Sequence, residues 1–220
     1  MKKHQLAAVA GLCAAVAGVV LIPAAGAGGP KPLPQAQAQA LIDAPAPVPS
    51  GSSTRAVSPQ EALAAASVPG ASVSVAPGLS LQQAVGLAPL PSAAAATGSP
   101  VVRRLSVARS FTACSANAAW HEWGTWPYQQ RITDTTYWCA VYGDHVTYIS
   151  SSATGSGTLC STGWTSSQLI SGGIGYSWFV TRSRAGFSCP TVVPWVTLHP
   201  SHYEDISRNA WGSTSEVGSG

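Results

Sequence analysis

The sequence predicts an all-β protein: a small antiparallel β-sandwich with two disulfides, with a small β-barrel as the alternative. Three observations favour this fold class. Runs of β-branched and aromatic residues have a period of two, Gly and Ser clusters separate them, and an even number of cysteines follows an export signal. Many short strands joined by frequent turns are typical of sandwiches and barrels.

The N-terminus has the pattern of a secretory signal peptide. Lys2 and Lys3 precede an apolar run over residues 6–22, and Ala25-Gly26-Ala27 matches a cleavage site. We predict residues 1–27 as the signal peptide, and hence a secreted, extracellular protein with no membrane span after cleavage. Cleavage after Ala40 and a retained anchor are the alternatives, although about 17 apolar residues rich in Ala and Gly are marginal for spanning a bilayer.

Residues 28–100 are rich in Ala, Pro, Ser and Gly, and contain no aromatic residue. This composition predicts an extended, protease-sensitive linker. Ser58-Pro59-Gln60-Glu61 and Ser80-Leu81-Gln82-Gln83 are helix-capping patterns, each followed by a short helix that a proline stops. Such short helices do not persist alone. The segment is therefore a tether, a docked segment, or a pro-segment removed near Arg103-Arg104.

The folded domain is predicted over residues 101–220, because no Phe, Trp or Tyr precedes Phe111. Alternation of apolar and polar residues predicts its first strand over residues 101–111. Further strands are predicted at residues 174–182, 194–199 and 210–217, and turns at residues 150–157 and 171–175.

Residues 135–152 predict a β-hairpin with Gly143-Asp144 at its turn. In this register Cys139 lies opposite Tyr148. One face, which we expect to be the core face, carries Tyr137, Cys139, Val141, Val146 and Tyr148. The other carries Trp138, Ala140, Tyr142, His145, Thr147 and Ile149, and Trp138 indicates that this face is also partly covered.

Four cysteines remain after signal cleavage: Cys114, Cys139, Cys160 and Cys189. In an exported chain they predict two disulfides with three possible connectivities, of which nearest-neighbour pairing is slightly favoured. No C-x-x-C spacing is present, so we predict no metal site and no cofactor.

Charge is sparse and nearly balanced. The net charge of +3 falls to +1 when Lys2 and Lys3 leave with the signal peptide, and no lysine follows Lys31. A nucleic-acid partner requires clustered cations, so we predict no nucleic-acid binding.

The sequence contains no G-x-S-x-G, H-E-x-x-H or phosphate-binding pattern. The densest polar cluster is residues 199–205, whose titratable members are His199, His202, Glu204 and Asp205. These side chains could pair as acid and base, but a polar surface loop after a strand explains them more simply. We therefore predict no catalytic residue.

A tryptophan-rich run over residues 120–128 is the main candidate for ligand binding. Gly124 and Pro127 favour a loop or a single helical turn that presents indole rings on one side, where they could stack on sugars. The predicted ligand-binding residues are Trp120, Trp123, Trp126, Tyr128 and Arg131. We expect Trp123 to be the most exposed ring; the alternative is that the rings close one end of the sandwich.

The export signal, the Ala/Pro-rich tether and the Trp-rich two-disulfide domain resemble those of secreted proteins of GC-rich bacteria, a resemblance that implies no activity. We predict a non-catalytic binding or structural module, with glycan or cell wall as its partner. A small secreted hydrolase that uses residues 199–205 is one alternative. A toxin or inhibitor that acts on another protein is the other.

Overall fold

The computed structural model describes residues 29–89 and 112–220, and their two packed antiparallel sheets confirm the predicted sandwich. The first sheet has the order β1-β3-β4-β5-β2. Its strands are β1 (Pro45–Val57), β2 (Ser72–Val75), β3 (Thr112–Trp123), β4 (Gln130–Val141) and β5 (His145–Gly157).

The second sheet has the order β10-β9-β7-β6, and a short strand, β8, pairs with the end of β7. Its strands are β6 (Ser161–Gly172), β7 (Trp178–Pro190), β8 (Thr197–Leu198), β9 (Ser201–Asn209) and β10 (Thr214–Ser219). The strands predicted at 174–182, 194–199 and 210–217 overlap β7, β8 and β10 only at residues 178–182, 197–198 and 214–217. The turn predicted at 150–157 is wrong, because these residues continue β5.

Side chains between the sheets form apolar layers at both ends and a polar layer in the middle. Along β4, Ile132 belongs to one apolar end and Trp138 to the other, while Asp134 and Thr136 lie between them. The facing strand β7 repeats the order with Phe187, then Ser183 and Thr181, then Phe179. The interior therefore has the same apolar-polar-apolar order on both sheets.

The hairpin of β4 and β5 is confirmed, but its turn lies one residue earlier than predicted. The Asp144 N–H donates to the Val141 carbonyl at 2.9 Å, so Tyr142 and Gly143 are the central residues. Gly143 has φ +75°, a conformation that favours glycine.

A bulge next to Cys139 compensates for the shifted turn, so Cys139 still pairs with Tyr148. The predicted core face is only partly right. Val146 pairs with Ala140 and packs with Trp138 in the inter-sheet core, whereas Cys139 and Tyr148 lie on the outer face of the sheet.

Both disulfides are confirmed with nearest-neighbour pairing, and both join strands of the same sheet. Cys114 and Cys139 are opposite residues of β3 and β4, with Cα atoms 4.0 Å apart. Cys160 and Cys189 join the start of β6 to the end of β7, with Cα atoms 4.2 Å apart. In the chain-entropy model each loop contributes about 3.5 kcal/mol to the free energy of unfolding. Neither disulfide therefore links one sheet to the other.

The segment predicted as a linker folds onto the domain in its described part, residues 29–89. β1 and β2 form the two edges of the first sheet, and three helices accompany them: α1 (Gln35–Ile42), α2 (Pro59–Ala65) and α3 (Leu81–Ala84). The extended-linker interpretation is wrong here, because edge strands need main-chain partners rather than large side chains.

The helices α2 and α3 begin at the predicted serine caps and cover part of the outer face of the first sheet. Ser58 and Ser80 accept the N–H groups of Glu61 and Gln83. Small residues of both helices pack on the Cys114–Cys139 disulfide and Tyr148. The short helices are thus stabilised by the sheet beneath them.

Three predicted features lie wholly or partly outside the described residues: the signal peptide, the strand at 101–111 and the cleavage site at Arg103-Arg104. Among the described helices, none has the length and apolar character needed to cross a bilayer.

Candidate functional site

The outer face of the second sheet is the candidate site. Along β7, Thr181, Ser183 and Ala185 are buried against the first sheet, so the alternate residues Arg182, Arg184 and Gly186 face outward. The neighbouring strands add Trp164, Ser166 and Gln168 from β6, and Tyr203 and Asp205 from β9. This set, with the three outward residues of β7, is termed the outer face below.

Trp164 lies flat on the outer face, over Gly186 of the neighbouring strand. A Cβ atom on Gly186 would lie 2.2 Å from Nε1, 2.6 Å from Cε2 and 2.9 Å from Cδ1 of the indole. These similar distances mean that the ring presents its face to the glycine. Any other residue at 186 would displace the ring. The Trp164 residue is 51% exposed, and no aromatic or cationic side chain of the described residues stacks on it.

A fixed polar group lies on the same face as Trp164, on the far side of Arg184. Arg182 donates two hydrogen bonds to Asp205, at 2.7 and 2.6 Å, and its guanidinium lies 4.6 Å from the centre of the Tyr203 ring. Arg184 is exposed between this group and Trp164, and has no hydrogen bond or ion pair in the described part of the chain. The outer face thus combines one open ring with one free cation.

The structure does not bring the five predicted ligand-binding residues together. Residues 120–123 belong to β3 rather than to a loop, so Trp120 and Trp123 lie on opposite faces of the first sheet. Trp120 lies over Gly51, with the Arg131 guanidinium 4.3 Å from its ring centre. The Arg131 side chain therefore already covers the ring of Trp120.

The expectation that Trp123 is the most exposed ring is wrong. Trp123 stacks in parallel on His202, with ring centres 4.5 Å apart and planes 8° apart. Trp126, in the loop after β3, is 67% exposed instead. Tyr128 is fully buried, where its hydroxyl accepts the Leu33 N–H and donates to the Pro190 carbonyl, both at 2.8 Å. It has no surface to offer a ligand.

The interpretation of residues 199–205 as a surface loop is wrong beyond Pro200, because residues 201–209 form β9 in the second sheet. His202 and Glu204 face the interior, while Asp205 faces outward and binds Arg182. His199 is exposed outside the strand, with Nδ1 3.4 Å from the Ser188 hydroxyl. The inward-facing residues of β9 are polar because the middle layer between the sheets is polar.

A buried polar network occupies the middle layer between the sheets. Asp134 and Arg208 form a fully buried ion pair, and Asp134 also accepts hydrogen bonds from Thr136 (2.7 Å) and Ser183 (2.6 Å). Arg208 donates to the side-chain oxygen Oδ1 of Asn117 at 2.8 Å. The charges of this pair are therefore compensated, as buried charges must be.

Glu204 is buried beside this network, and the half-buried His202 lies toward the Trp123 end of the interior; both are in their uncharged forms at neutral pH. Burial, with a smaller effect of the Asp134 charge, raises the pKa of Glu204 to about 9. Neither Glu204 oxygen has a hydrogen-bond partner among the described residues. Burial lowers the pKa of His202 to about 4, and its Nε2 lies 3.1 Å from Gln130 Oε1.

A cleft of about 140 Å³ opens between the edge strands β1 and β10. Its lining includes Ser52, Trp120, Thr214 and Glu216. Glu216 Oε1 lies 3.0 Å from His121 Nδ1. Within residues 29–89 and 112–220, no three His, Cys, Asp or Glu side chains converge as metal ligands would.

Two further groups of exposed aromatic residues lie at the ends of the sandwich. At the hairpin end, Ala210 N–H donates to the Ser177 carbonyl and Val146 N–H to the Tyr176 carbonyl, both at 2.8 Å. These bonds join three loops that expose Tyr142, Tyr176 and Trp211. At the opposite end, Trp195 is 85% exposed on a turn. The Thr191 hydroxyl donates a hydrogen bond to the Val196 carbonyl at 2.8 Å, which holds this turn in place.

Comparison with known proteins finds no match. No protein-family model, curated protein or solved structure is similar to this chain. Its function is therefore inferred from the geometry of the described residues.

Sequence reasoning missed Trp164 and Arg184. Ser161–Gly172 is rich in Ser, Thr and Gly, which is typical of a turn, and no strand is predicted there. The usable signal is the alternation that puts Trp164, Ser166 and Gln168 on one face. The glycine that accommodates the ring is 22 residues away, so the sequence alone does not reveal the pairing.

Proposed function

We propose that this protein is a non-catalytic glycan-binding module and that the outer face binds the ligand. The observation that carries the proposal is the open face of Trp164. An indole that is fixed on a sheet and half exposed offers a flat apolar surface for the C–H groups of a sugar ring. Because Gly186 already holds the ring flat, little conformational entropy is lost when a ligand stacks on it.

Polar side chains around Trp164 supply the second requirement of a glycan site. Ser166, Gln168 and Tyr203 can donate and accept hydrogen bonds, and Arg184 can donate several. Sugars present many hydroxyl groups, so a flat ring bordered by such groups suits them better than an apolar peptide. Trp120 is less suitable, because Arg131 lies on its ring.

An extracellular location fits this proposal. Two disulfides suggest an oxidising compartment, since cytosolic thiols are kept reduced. We propose that the protein is secreted, with the predicted signal peptide as its means of export, and that it acts on wall or environmental glycans.

A protein inhibitor or toxin is the second candidate function, and the exposure of Trp195 favours it. Residues 190–198 carry no charged side chain, and Trp195 projects from a fastened turn. Exposed tryptophans of this kind often anchor protein–protein contacts. The hydrolase alternative has less support: His202 and Glu204 face the interior, and they form no hydrogen bond with each other in the described part.

Affinity measurements on a panel of soluble polysaccharides test the proposed function. We expect the full-length protein to bind at least one polymer, and W164A to abolish that binding. The loss of free energy of unfolding in W164A should stay below about 1 kcal/mol, because the ring packs on one side only. W195A is the matched control and should bind normally. Normal binding by W164A, or loss of binding only in W195A, would contradict the proposal.

A further inference from the structure

We infer that the glycan recognised by the outer face carries an anionic group, and that Arg184 binds this group. The inference rests on the proposed function and adds the chemical class of the ligand. Its basis is the position of one free guanidinium beside one open indole.

Arg184 and Trp164 lie within the span of a small oligosaccharide. Arg184 is two residues from Gly186 on β7, and Trp164 lies over Gly186. Residues i and i+2 of a strand are about 6.8 Å apart on the same face. A sugar stacked on Trp164 would therefore direct a substituent, or the next sugar, toward Arg184.

The neighbours of Arg184 leave its charge available. The other arginine of the outer face, Arg182, is already bound to Asp205 through two hydrogen bonds. The residues paired with Arg184 in the sheet are Ser166 and Tyr203, neither of which is an aspartate or a glutamate. Within residues 29–89 and 112–220, the charge of Arg184 in the middle of the outer face therefore has no ion-pair partner.

A guanidinium is well suited to an anionic sugar. Its planar array of donors matches the two oxygens of a carboxylate or a phosphate, and such charge-assisted bonds are stronger than those to neutral hydroxyls. Carboxylate and phosphate share this chemistry. The ligand is therefore a uronic-acid polymer or a phosphate-bearing glycan, and the choice of probes separates the two.

The test compares polymers that differ only in charge. The probes are polygalacturonate with its methyl-esterified form, and phosphorylated mannan with unmodified mannan. We expect wild-type protein to bind one of the charged polymers about five- to tenfold more tightly than its neutral counterpart, and added salt to reduce the difference. The preferred pair identifies the carboxylate or the phosphate as the anion.

Three variants make the result specific to the site. R184Q should lose the preference for the charged polymer while keeping the affinity for the neutral one, and W164A should bind neither. R55Q removes the same charge from an exposed arginine of the first sheet and should behave as wild type.

Two results would overturn the inference while leaving the proposed function intact. One is equal binding of charged and neutral polymers that W164A abolishes. The other is a preference for the charged polymer that does not depend on Arg184: R184Q retains it, or R55Q loses it to the same extent as R184Q. A protein that binds none of these polymers or those of the earlier panel, or whose binding W164A does not affect, would overturn the proposed function and this inference together.

Discussion

The carboxyl group of Glu204 lies in the middle of the sandwich, where its surroundings disfavour the ionised form. It is 1% exposed, its oxygens have no partner among the described residues, and the nearby Asp134 is already paired with Arg208. Ionisation would place a second negative charge in this layer. The side chain therefore keeps its proton when the protein is folded, up to a pH of about 9.

The raised pKa of Glu204 predicts that stability falls in alkaline solution. Between its unfolded pKa and about 9, only the unfolded chain releases the Glu204 proton, so the free energy of unfolding decreases as the pH rises. His202 has the opposite effect, because its pKa is lowered to about 4, but this effect ends near its ordinary pKa. Above about pH 6.5 the effect of Glu204 is no longer opposed by that of His202, and its slope is at most about 1.4 kcal/mol per pH unit.

Urea unfolding at several pH values from 6.5 to 9 checks this prediction. E204Q retains the size of the neutral carboxyl and removes its titration, so we expect its stability to be nearly constant over this range. E61Q changes an exposed carboxylate and should keep the wild-type slope. A wild-type protein without the decline, or an E204Q variant that keeps it, would show that Glu204 is not a buried neutral acid.

At the scale of elements, the N-terminal segment is part of the fold. β1 and β2 pair with β3 and β5, and so occupy main-chain hydrogen-bonding groups of these two strands that would otherwise be open to pairing with other chains. The helices add buried hydrogen bonds: Tyr148 donates to the Ala62 carbonyl and Thr147 to the Ala84 carbonyl, both at 2.7 Å. These contacts attach the segment to the central hairpin.

We predict that residues 45–84 resist proteolysis in the folded protein and that Y148F weakens this protection. Removing the hydroxyl leaves the Ala62 carbonyl buried without its side-chain donor, which costs about 1–3 kcal/mol. Limited proteolysis followed by mass spectrometry of the full chain measures the effect. Y142F, an exposed tyrosine of the hairpin turn, is the control. Rapid cleavage within residues 45–84 of wild-type protein would contradict the docked arrangement.

At the scale of the whole molecule, the sequence predicts what depends on local chemistry. Both serine caps and the two disulfides follow from capping patterns and cysteine count. The pairing of Cys139 with Tyr148 agrees with the prediction only because a bulge offsets the shifted turn. The sequence predicts less well which side chains share a face of the sheet. The bulge places Val146 on the face opposite to Cys139 and Tyr148, with which it was predicted to lie.

Features that depend on distant residues could not be predicted. β9 looks like a loop in sequence because Glu204 and Arg208 are polar, and only the facing Asp134 explains why such residues face inward. Trp164 looks like one aromatic residue in a serine-rich stretch until Gly186 of the next strand is placed beneath it. The prediction that the tryptophans of residues 120–128 form one binding surface was wrong for a local reason. Residues 120–123 belong to β3, which places Trp120 and Trp123 on opposite faces of the sheet.

The central claim is that the outer face is where a glycan binds, with Trp164 as the ring on which a sugar stacks. The eight tryptophans each give one indole N–H signal in a ¹H–¹⁵N spectrum, and W164F identifies that of Trp164. Titration with galacturonate oligomers, and in parallel with a neutral mannan oligomer, should shift the Trp164 signal and leave that of buried Trp138 in place. Shifts confined to Trp126 and Trp195, with the Trp164 signal unmoved at saturation, would contradict the account.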